Sequence, residues 1–409
     1  MRLRARASAA QVHRLAAAGL LLLCMRAPAF AQASGDARTQ YPKALQNSYI
    51  TINAGAIDQP FSQEQLQPGF HAASIAVPRV DVRVMLIGHE FNRFISAQAS
   101  YMRPLNYVAY RSVRPGDAEA HHVRVNFGAV TLKLRAPLHG RLSAYGEGGL
   151  GFTSRTGFGL GDATVVTDAH YASALVGGGV EYRLSPSWDL TGGVTLSPGR
   201  AGVNQPRTIY SSGGFRYTMR PLPAERVDAN RSAGVIFPRQ VLQVEYSSGT
   251  GYAVNDFVSK TVPIFWGGHA KVDFGIAPHY ERNVFHTRKV FALDVGASAG
   301  IYRTRQNNDR FFTLSLYPLF RFTFLRTHAA DMYFAYSLAG PTYISKSVLD
   351  DLDTGRHFTF QDFMGIGWFA GRNRNLNLGV KINHYSNGNI FTQNAGVKIP
   401  LTFSLGYAF

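Results

Sequence analysis

The most constraining feature of this sequence is a strict alternation of apolar and polar residues near its end. Every second residue is apolar from Leu376 to Ile382, and the same pattern runs from Leu401 to Phe409. A period of two means that successive side chains point to opposite faces of a strand, one apolar and one polar. Strands of this kind, ending on an aromatic residue, are typical of an outer-membrane β-barrel, in which one face contacts lipid and the other lines the lumen.

The N-terminus has the pattern of a secretory signal. Four arginines precede an apolar run from Leu15 to Met25, and Ala29-Phe30-Ala31 offers a small-residue cleavage site. We therefore predict a signal peptide over residues 1–31. The one cysteine, Cys24, lies inside it, so we expect neither disulfides nor thiolate metal sites in the mature chain.

Composition indicates where the exported chain goes. No later stretch approaches the ~18 consecutive apolar residues of a membrane helix, although 45% of all residues are hydrophobic and 12% are aromatic. Only closed barrels satisfy strand backbones in lipid, which predicts a membrane-embedded protein of the Gram-negative outer membrane. The formal net charge of +17 suits the anionic head groups of lipopolysaccharide. Nucleic acid, the usual alternative partner of a basic protein, does not fit an exported chain.

Alternating segments fall into two sets, separated by a proline-rich and charge-rich segment over residues 220–238. About eight strands are predicted over residues 32–219, where Gly177 to Leu196 has the pattern of a strand, a Ser-Pro-Ser turn and a strand. Eight more are predicted over residues 239–409: Val241–Ser247, Gly268–Glu281, Val290–Arg303, Phe311–Phe324, Asp331–Ile344, Phe358–Phe369, Leu376–Asn387 and Leu401–Phe409.

The predicted fold is all-β, with two tandem antiparallel eight-stranded transmembrane β-barrels joined by the 220–238 linker. An even number of strands returns both ends of each barrel to the periplasmic side. A single barrel of about sixteen strands is the alternative, because the rules of closure alone permit it.

The apolar face that begins at Leu376 continues with two chemically active residues, His384 and Ser386. An imidazole and a hydroxyl two residues apart on one strand are close enough to hydrogen-bond, which is how a serine is activated. Counting strands back from a periplasmic C-terminus places the pair at the extracellular, lipid-facing end, at the depth of the acyl esters of lipid A. The alternative is that both are polar residues where the strand leaves the membrane.

The residues around this pair resemble a known family. The motif His384-Tyr385-Ser386-Asn387-Gly388, followed by Asn394-Ala395-Gly396 and a terminal aromatic strand, resembles the lipid A 3-O-deacylase (PagL) family, also called acyloxyacyl hydrolase-like. The resemblance covers about Gln240 to Phe409, while the first half is similar to opacity-type outer-membrane barrels.

The resemblance implies an outer-membrane serine esterase that removes the 3-O-linked acyl chain from lipid A of lipopolysaccharide in the outer leaflet. Ser386 would be the nucleophile and His384 the general base. Asn394, with Asn387 and the backbone near Asn387 to Asn389, would stabilise the oxyanion. No metal or organic cofactor is implied, and a homodimer is left open.

The chain departs from the family at the acid of the triad. No Asp or Glu follows Asp362, and Lys398 stands about where the family has a carboxylate. Folding the strand pair about the Gly371-to-Asn375 turn brings Asp362 within about one residue of the position opposite His384, where cross-strand Cβ atoms are ~5 Å apart. We hypothesise that Asp362 orients His384. An amide of Gln361, Gln393 or Asn394 is the fallback, and a carboxylate paired with a nearby cation is the non-functional alternative.

Two other functions stay open at this point. A non-catalytic outer-membrane structural or adhesion barrel with a decayed active site is favoured by the missing triad acid, and a small-solute pore would need a wide lumen. Asp117, Glu119, His121 and His122 are metal-ligating residue types, but they lie in a polar loop without ordered spacing. We expect that loop to be solvated rather than to bind a metal.

Overall fold

A computed structural model describes residues 37–261, 267–388 and 393–409. The predicted signal peptide, residues 1–31 with Cys24, lies outside these ranges. The strands of the first half are β1 Ser48–Asp58, β2 Ser74–Ala76, β3 Val80–Glu90, β4 Ile95–Pro104, β5 Val108–Arg111, β6 Ala120–His139, β7 Leu142–Thr156, β8 Phe158–Leu160, β9 Ala163–Val166, β10 Ala169–Arg183, β11 Trp188–Ser197 and β12 Thr208–Thr218. Those of the second half are β13 Gln240–Ser248, β14 Ala270–His286, β15 Phe291–Thr304, β16 Arg310–Arg326, β17 Ala330–Ile344, β18 Val348–Leu349, β19 Leu352–Asp353, β20 Phe358–Ala370, β21 Leu376–Ser386 and β22 Val397–Ala408.

Helical structure within the described ranges is sparse. A linker helix, Ala224–Arg231, lies between the two halves, and a covering helix, Tyr252–Thr261, lies between β13 and β14. Neither helix is long and apolar enough to cross a membrane. Short 3₁₀ turns are found at Ala37–Thr39, Lys43–Leu45, Gln63–Gln65 and Ala201–Val203.

Each half closes into its own antiparallel barrel. In the first, the ring order is β6-β4-β3-β1-β12-β11-β10-β7, and β7 pairs back to β6. In the second, the order is β13-β14-β15-β16-β17-β20-β21-β22, and β13 closes the ring on β22. The prediction of two eight-stranded barrels is therefore confirmed, and the single sixteen-stranded alternative is wrong.

The two faces of the sheet have opposite chemistry. Apolar side chains point outward, and Leu134 and Leu405 are each 61% exposed. Charged side chains are buried inside: Arg216 contacts Glu181 and Asp189 in the first lumen, and Lys381 pairs with Glu245 in the second. Apolar groups outside and paired charges inside are what a barrel surrounded by lipid requires.

The first lumen is filled by side chains. Two cavities within it measure about 20 and 10 Å³. One probe sphere for a water molecule needs roughly 10–15 Å³. Spaces of this size in the first lumen are too small for a solute larger than water.

The last strand begins earlier than the alternation predicted. It starts at Val397 rather than at Leu401, and its first residues pair with His384 and Tyr385 of β21. The pairing register shifts between Ile399 and Thr402, where Pro400 interrupts the strand. Proline is tolerated in a sheet at such a bulge, and there it hides the strand pattern in the sequence.

Candidate active site

The hairpin of β20 and β21 positions the predicted catalytic residues. Its turn uses positive φ angles at Gly371 (85°) and Arg374 (59°). The resulting register places Asp362 directly opposite His384 and Phe360 opposite Ser386. The three polar residues therefore share the outward face, as the alternation predicted. They lie at the end of the barrel that is remote from Gln240 and Ala408.

Ser386 and His384 are in contact. Ser386 Oγ lies 3.3 Å from His384 Nε2. The histidine is fully buried, with 0% of its surface exposed, whereas Ser386 is half-buried and lines a cleft of about 460 Å³. The hydroxyl therefore faces open space and the imidazole lies behind it. This is the arrangement that a nucleophile and its general base require.

Asp362 contacts the same ring nitrogen as the serine. Its Oδ2 lies 3.5 Å from His384 Nε2, while the backbone N–H of Ala339 donates to its Oδ1. Ala339 has a positive φ of 54° and lies where the pairing of β17 with β20 shifts register, so a bulge aims its N–H at the carboxylate. A triad acid holds Nδ1 instead. The orienting role of Asp362 stays a prediction, and its contact differs from the triad arrangement.

A helix covers this part of the outward face. Val258 of the covering helix packs beside Ile382, and Asn255 Nδ2 donates to the carbonyl oxygen of Ile399 at 2.7 Å. The sequence placed His384 on a surface in contact with lipid; the face is as predicted, but protein covers it at this level. The ten-residue helix was not predicted.

Lys398 occupies the position opposite His384 on β22. Its Nζ forms an ion pair with Asp256 of the covering helix. The hydrogen bond from Lys398 holds the pKa of the Asp256 carboxyl below its usual range, so the pair is charged at neutral pH and is lost only as the pH falls through that lowered pKa. A row of ionisable residues thus runs across three strands, from Asp362 through His384 to Lys398, and ends on the helix.

The two predicted oxyanion residues are in contact with each other. Asn394 Oδ1 accepts from the backbone N–H of Asn387 at 2.9 Å. The Asn387 side chain is fully buried and donates to the carbonyl oxygens of Gln393 (2.7 Å) and Thr354 (3.2 Å). Asn387 therefore ties the loop together, whereas Asn394 lines the cleft together with Gly388. Their oxyanion roles stay predictions.

The fallback amide Gln361 lies on the other face. It is 1% exposed and accepts from Ser298 Oγ at 3.4 Å in the lumen. Because neighbouring residues of a strand alternate between faces, Gln361 points away from the side of β20 on which Asp362 lies. It therefore cannot orient His384 in this structure.

The acidic and histidine residues predicted to share a polar loop divide between a loop and a strand, because His121 and His122 lie on β6 whereas Asp117 and Glu119 precede it. Asp117 Oδ2 lies 2.8 Å from His121 Nε2, and the backbone N–H of Glu119 donates to Asp117 Oδ1. The His122 ring packs against Tyr107 instead. Within the described ranges, no three His, Cys, Asp or Glu side chains come together in a way that could hold a metal ion.

Comparison with known proteins finds a family model that is similar to the second barrel. Residues 266–408 match the family model described as lipid A 3-O-deacylase (PagL), which confirms the resemblance stated for the second half. No curated protein matches the sequence. The family model does not extend to the first barrel.

Solved structures of outer-membrane barrels are similar to one barrel of this chain. The outer membrane enzyme PagL is 18% identical with a TM-score of 0.29, and the match covers 42% of this chain and 98% of that one. Neisserial surface protein A is 15% identical with a TM-score of 0.29, covering 42% and 97%. The N-terminal β-barrel domain of Pseudomonas aeruginosa OprF is 16% identical with a TM-score of 0.26, covering 42% and 98%.

Proposed function

We propose that the second barrel is an outer-membrane serine esterase that removes the 3-O-linked acyl chain from lipid A. One observation carries the proposal: Ser386 lines a cleft and its Oγ lies 3.3 Å from His384 Nε2, within the segment that matches the deacylase family. The proposed localisation is the outer membrane, with the catalytic end toward the outer leaflet.

The reaction follows from the position of the two side chains. Ser386 Oγ attacks the carbonyl carbon of the ester while His384 Nε2 takes the hydroxyl proton. His384 then returns the proton to the leaving sugar oxygen, and an acyl-serine remains. Water, deprotonated by His384, attacks the carbonyl carbon of that ester; His384 then returns the proton to Ser386 Oγ as the C–O bond breaks, and the fatty acid leaves. Asn394 and the backbone at Gly388 line the cleft beside Ser386 and are the proposed donors to the oxyanion.

We propose that the negative charge of Asp362 stabilises the positive charge that forms on His384 during the reaction. When Nε2 of His384 takes the serine proton, the imidazolium faces a carboxylate oxygen 3.5 Å away. That attraction lowers the energy of the charged intermediate, although it does not fix the tautomer through Nδ1 as a triad acid does. The bulge at Ala339 holds the other oxygen and keeps the carboxylate in place.

A non-catalytic barrel is the second candidate. The observation that favours it is the shared nitrogen: an Nε2–H that donates to Asp362 Oδ2 cannot accept the hydrogen bond of Ser386. If that tautomer persists, the serine stays unactivated and the barrel serves a structural or adhesive function.

Mass spectrometry of lipid A separates the two candidates. The native chain is expressed in a bacterial host without a deacylase, beside Ser386→Ala, and insertion is verified by heat-modifiable migration of both proteins. We expect one hydroxyacyl group to be lost with the native chain and to be retained with Ser386→Ala. Unchanged lipid A with correctly inserted native protein would refute the esterase proposal and leave the non-catalytic barrel.

A further inference from the structure

The cleft at Ser386 has a second wall, and the first barrel supplies it. The residues that contribute to this wall lie on β4, on β6 and on the segment between β4 and β5: Tyr101, Tyr107, Arg124 and Asn126. The covering helix, the residues just before β14 and those around the loop before β22 also line it. The space in front of the proposed nucleophile therefore belongs to both barrels.

The side chains of this wall are unusual for the face they occupy. Along β6, Val123, Val125 and Phe127 point inward and are buried, so Arg124 and Asn126 point outward. Lower on the same strand the outward residues are large and apolar, including Val130, Leu132 and Leu134, which are exposed. Polar and charged side chains on the lipid-facing side of a barrel are costly, least so near the membrane interface. Arg124 is exposed at the level of the cleft, whereas Asn126 is buried beside it, so Arg124 is the side chain of β6 that is available to a polar ligand there.

The cleft has an excess of positive charge. Among its described lining residues, Arg124, Lys260 and Lys398 are cationic, and Asp256 is the one carboxylate. Asp256 is already paired with Lys398. The remaining cations come from opposite walls, with Arg124 on the first barrel and Lys260 on the covering helix. An anionic group held between them would be contacted from both sides.

Arg124 is positioned for planar recognition of such a group. Its guanidinium carbon lies 5.3 Å from the centre of the Tyr107 ring. A guanidinium held over an aromatic ring is a cation–π contact that involves none of its N–H donors as hydrogen bonds, so these donors are available to an anion. A guanidinium edge matches two oxygens of a phosphate group.

We infer that the first barrel contributes to substrate recognition: Arg124, together with Lys260, binds a phosphate group on the sugar head group of a glycolipid whose acyl ester lies at Ser386. This inference rests on the proposed function for the ester, but the recognition itself requires no turnover. It gives the first barrel a role that the single-barrel family model, which covers residues 266–408, does not contain.

Equilibrium binding in detergent micelles tests the inference without catalysis. The full chain carrying Ser386→Ala is titrated with lipid A and with lipid A whose phosphates have been removed. Adding Arg124→Ala is expected to weaken binding of the phosphorylated lipid by about tenfold, the loss of one charge-assisted hydrogen bond. Binding of the dephosphorylated lipid is expected to be weak and insensitive to Arg124.

Arg200→Ala is the matched control. Arg200 also lies in the first barrel, is also exposed and also stacks on a tyrosine, with 5.0 Å from its guanidinium carbon to the ring of Tyr171, but it lies outside the cleft. Its loss is expected to leave the affinity unchanged. Equal effects of Arg124→Ala and Arg200→Ala, or equal affinity for both lipids, would overturn the inference.

Two further arms separate the remaining explanations. Inorganic phosphate that binds with the same dependence on Arg124 would show a site for a free anion and overturn the assignment to a lipid. Binding that depends on Arg124, combined with no acyl release by the native chain, would refute the esterase and keep the recognition site. If the native chain releases the acyl group but binding does not depend on Arg124, the recognition site is refuted and the esterase proposal stands.

Discussion

Replacing Asp362 by asparagine tests how the buried carboxylate acts on His384. The side chains have nearly the same shape, and the amide oxygen can still accept from the N–H of Ala339. The change therefore removes the charge and leaves the bulge in place. The proposed reaction predicts a slower chemical step with little change in folding.

The magnitude follows from the distance between the groups. Unit charges 3.5 Å apart, the separation of Asp362 Oδ2 and His384 Nε2, attract by about 4–5 kcal/mol at an effective dielectric constant near 20. Lys398 on the other side of the histidine opposes the same protonation, so we expect roughly half of that attraction to reach the transition state. A loss of about 2–3 kcal/mol corresponds to a fall of roughly 30- to 150-fold in kcat/KM.

The assay is release of hydroxyacyl chains from lipid A by purified, refolded protein, with kcat and KM determined separately. Asp309→Asn is the control, since Asp309 is paired with Lys346 away from the cleft. An unchanged kcat/KM in Asp362→Asn would refute a charge role for Asp362. A loss near 10⁴, typical of a lost triad acid, would show that Asp362 fixes the tautomer and that the Nε2 contact is not the working one.

Two more predictions concern the covering helix and the lumen. Asp256→Asn leaves Lys398 without its counter-charge beside His384. We expect kcat to fall about twofold to fivefold, since an ion pair with one exposed partner is worth about 1 kcal/mol or less; the double change with Lys398→Met is expected to restore the rate. Arg321→Met removes the cation that two buried lumen carboxylates, Glu281 and Asp294, share. We expect a loss of about 3–5 kcal/mol in stability, measured as a lower temperature for the heat-modified shift on gels.

Controls for these changes come from the same barrel. Asp309→Asn removes a comparable loop ion pair and is expected to leave kcat unchanged; an equal fall there would contradict the local effect assigned to Asp256. Arg310→Met, at an exposed position, is the control for Arg321→Met. Equal melting of the two variants would show that the buried pairs contribute little.

Alternation in the sequence was sufficient to predict the barrels and the meeting of Asp362 with His384. The reason is geometric, because one turn and a period of two determine which residues of β20 and β21 lie opposite each other on one face. The same reasoning could not predict which ring nitrogen the carboxylate contacts, since that depends on side-chain torsions and on the bulge at Ala339.

The covering helix and the second wall of the cleft could not be predicted from the sequence, for a different reason. A helix of ten residues is marginal by itself and forms through packing, here against β21 and β22. Arg124 and Asn126 stand on the same face of β6 as the apolar residues Val130, Leu132 and Leu134, and this change from polar to apolar along one face is the signal that could have drawn attention to them. Their proximity to Ser386 depends on how the barrels meet, which no local pattern encodes.

Closure of each barrel on its own first and last strands has a consequence for biogenesis. β1 pairs with β12, and β13 pairs with β22, so all the strands of one ring are contiguous in the chain. Insertion into the membrane can then proceed as two successive events, each completed when its final strand finds its first. The first ring contains every strand edge that it needs for closure before the second half of the chain is made.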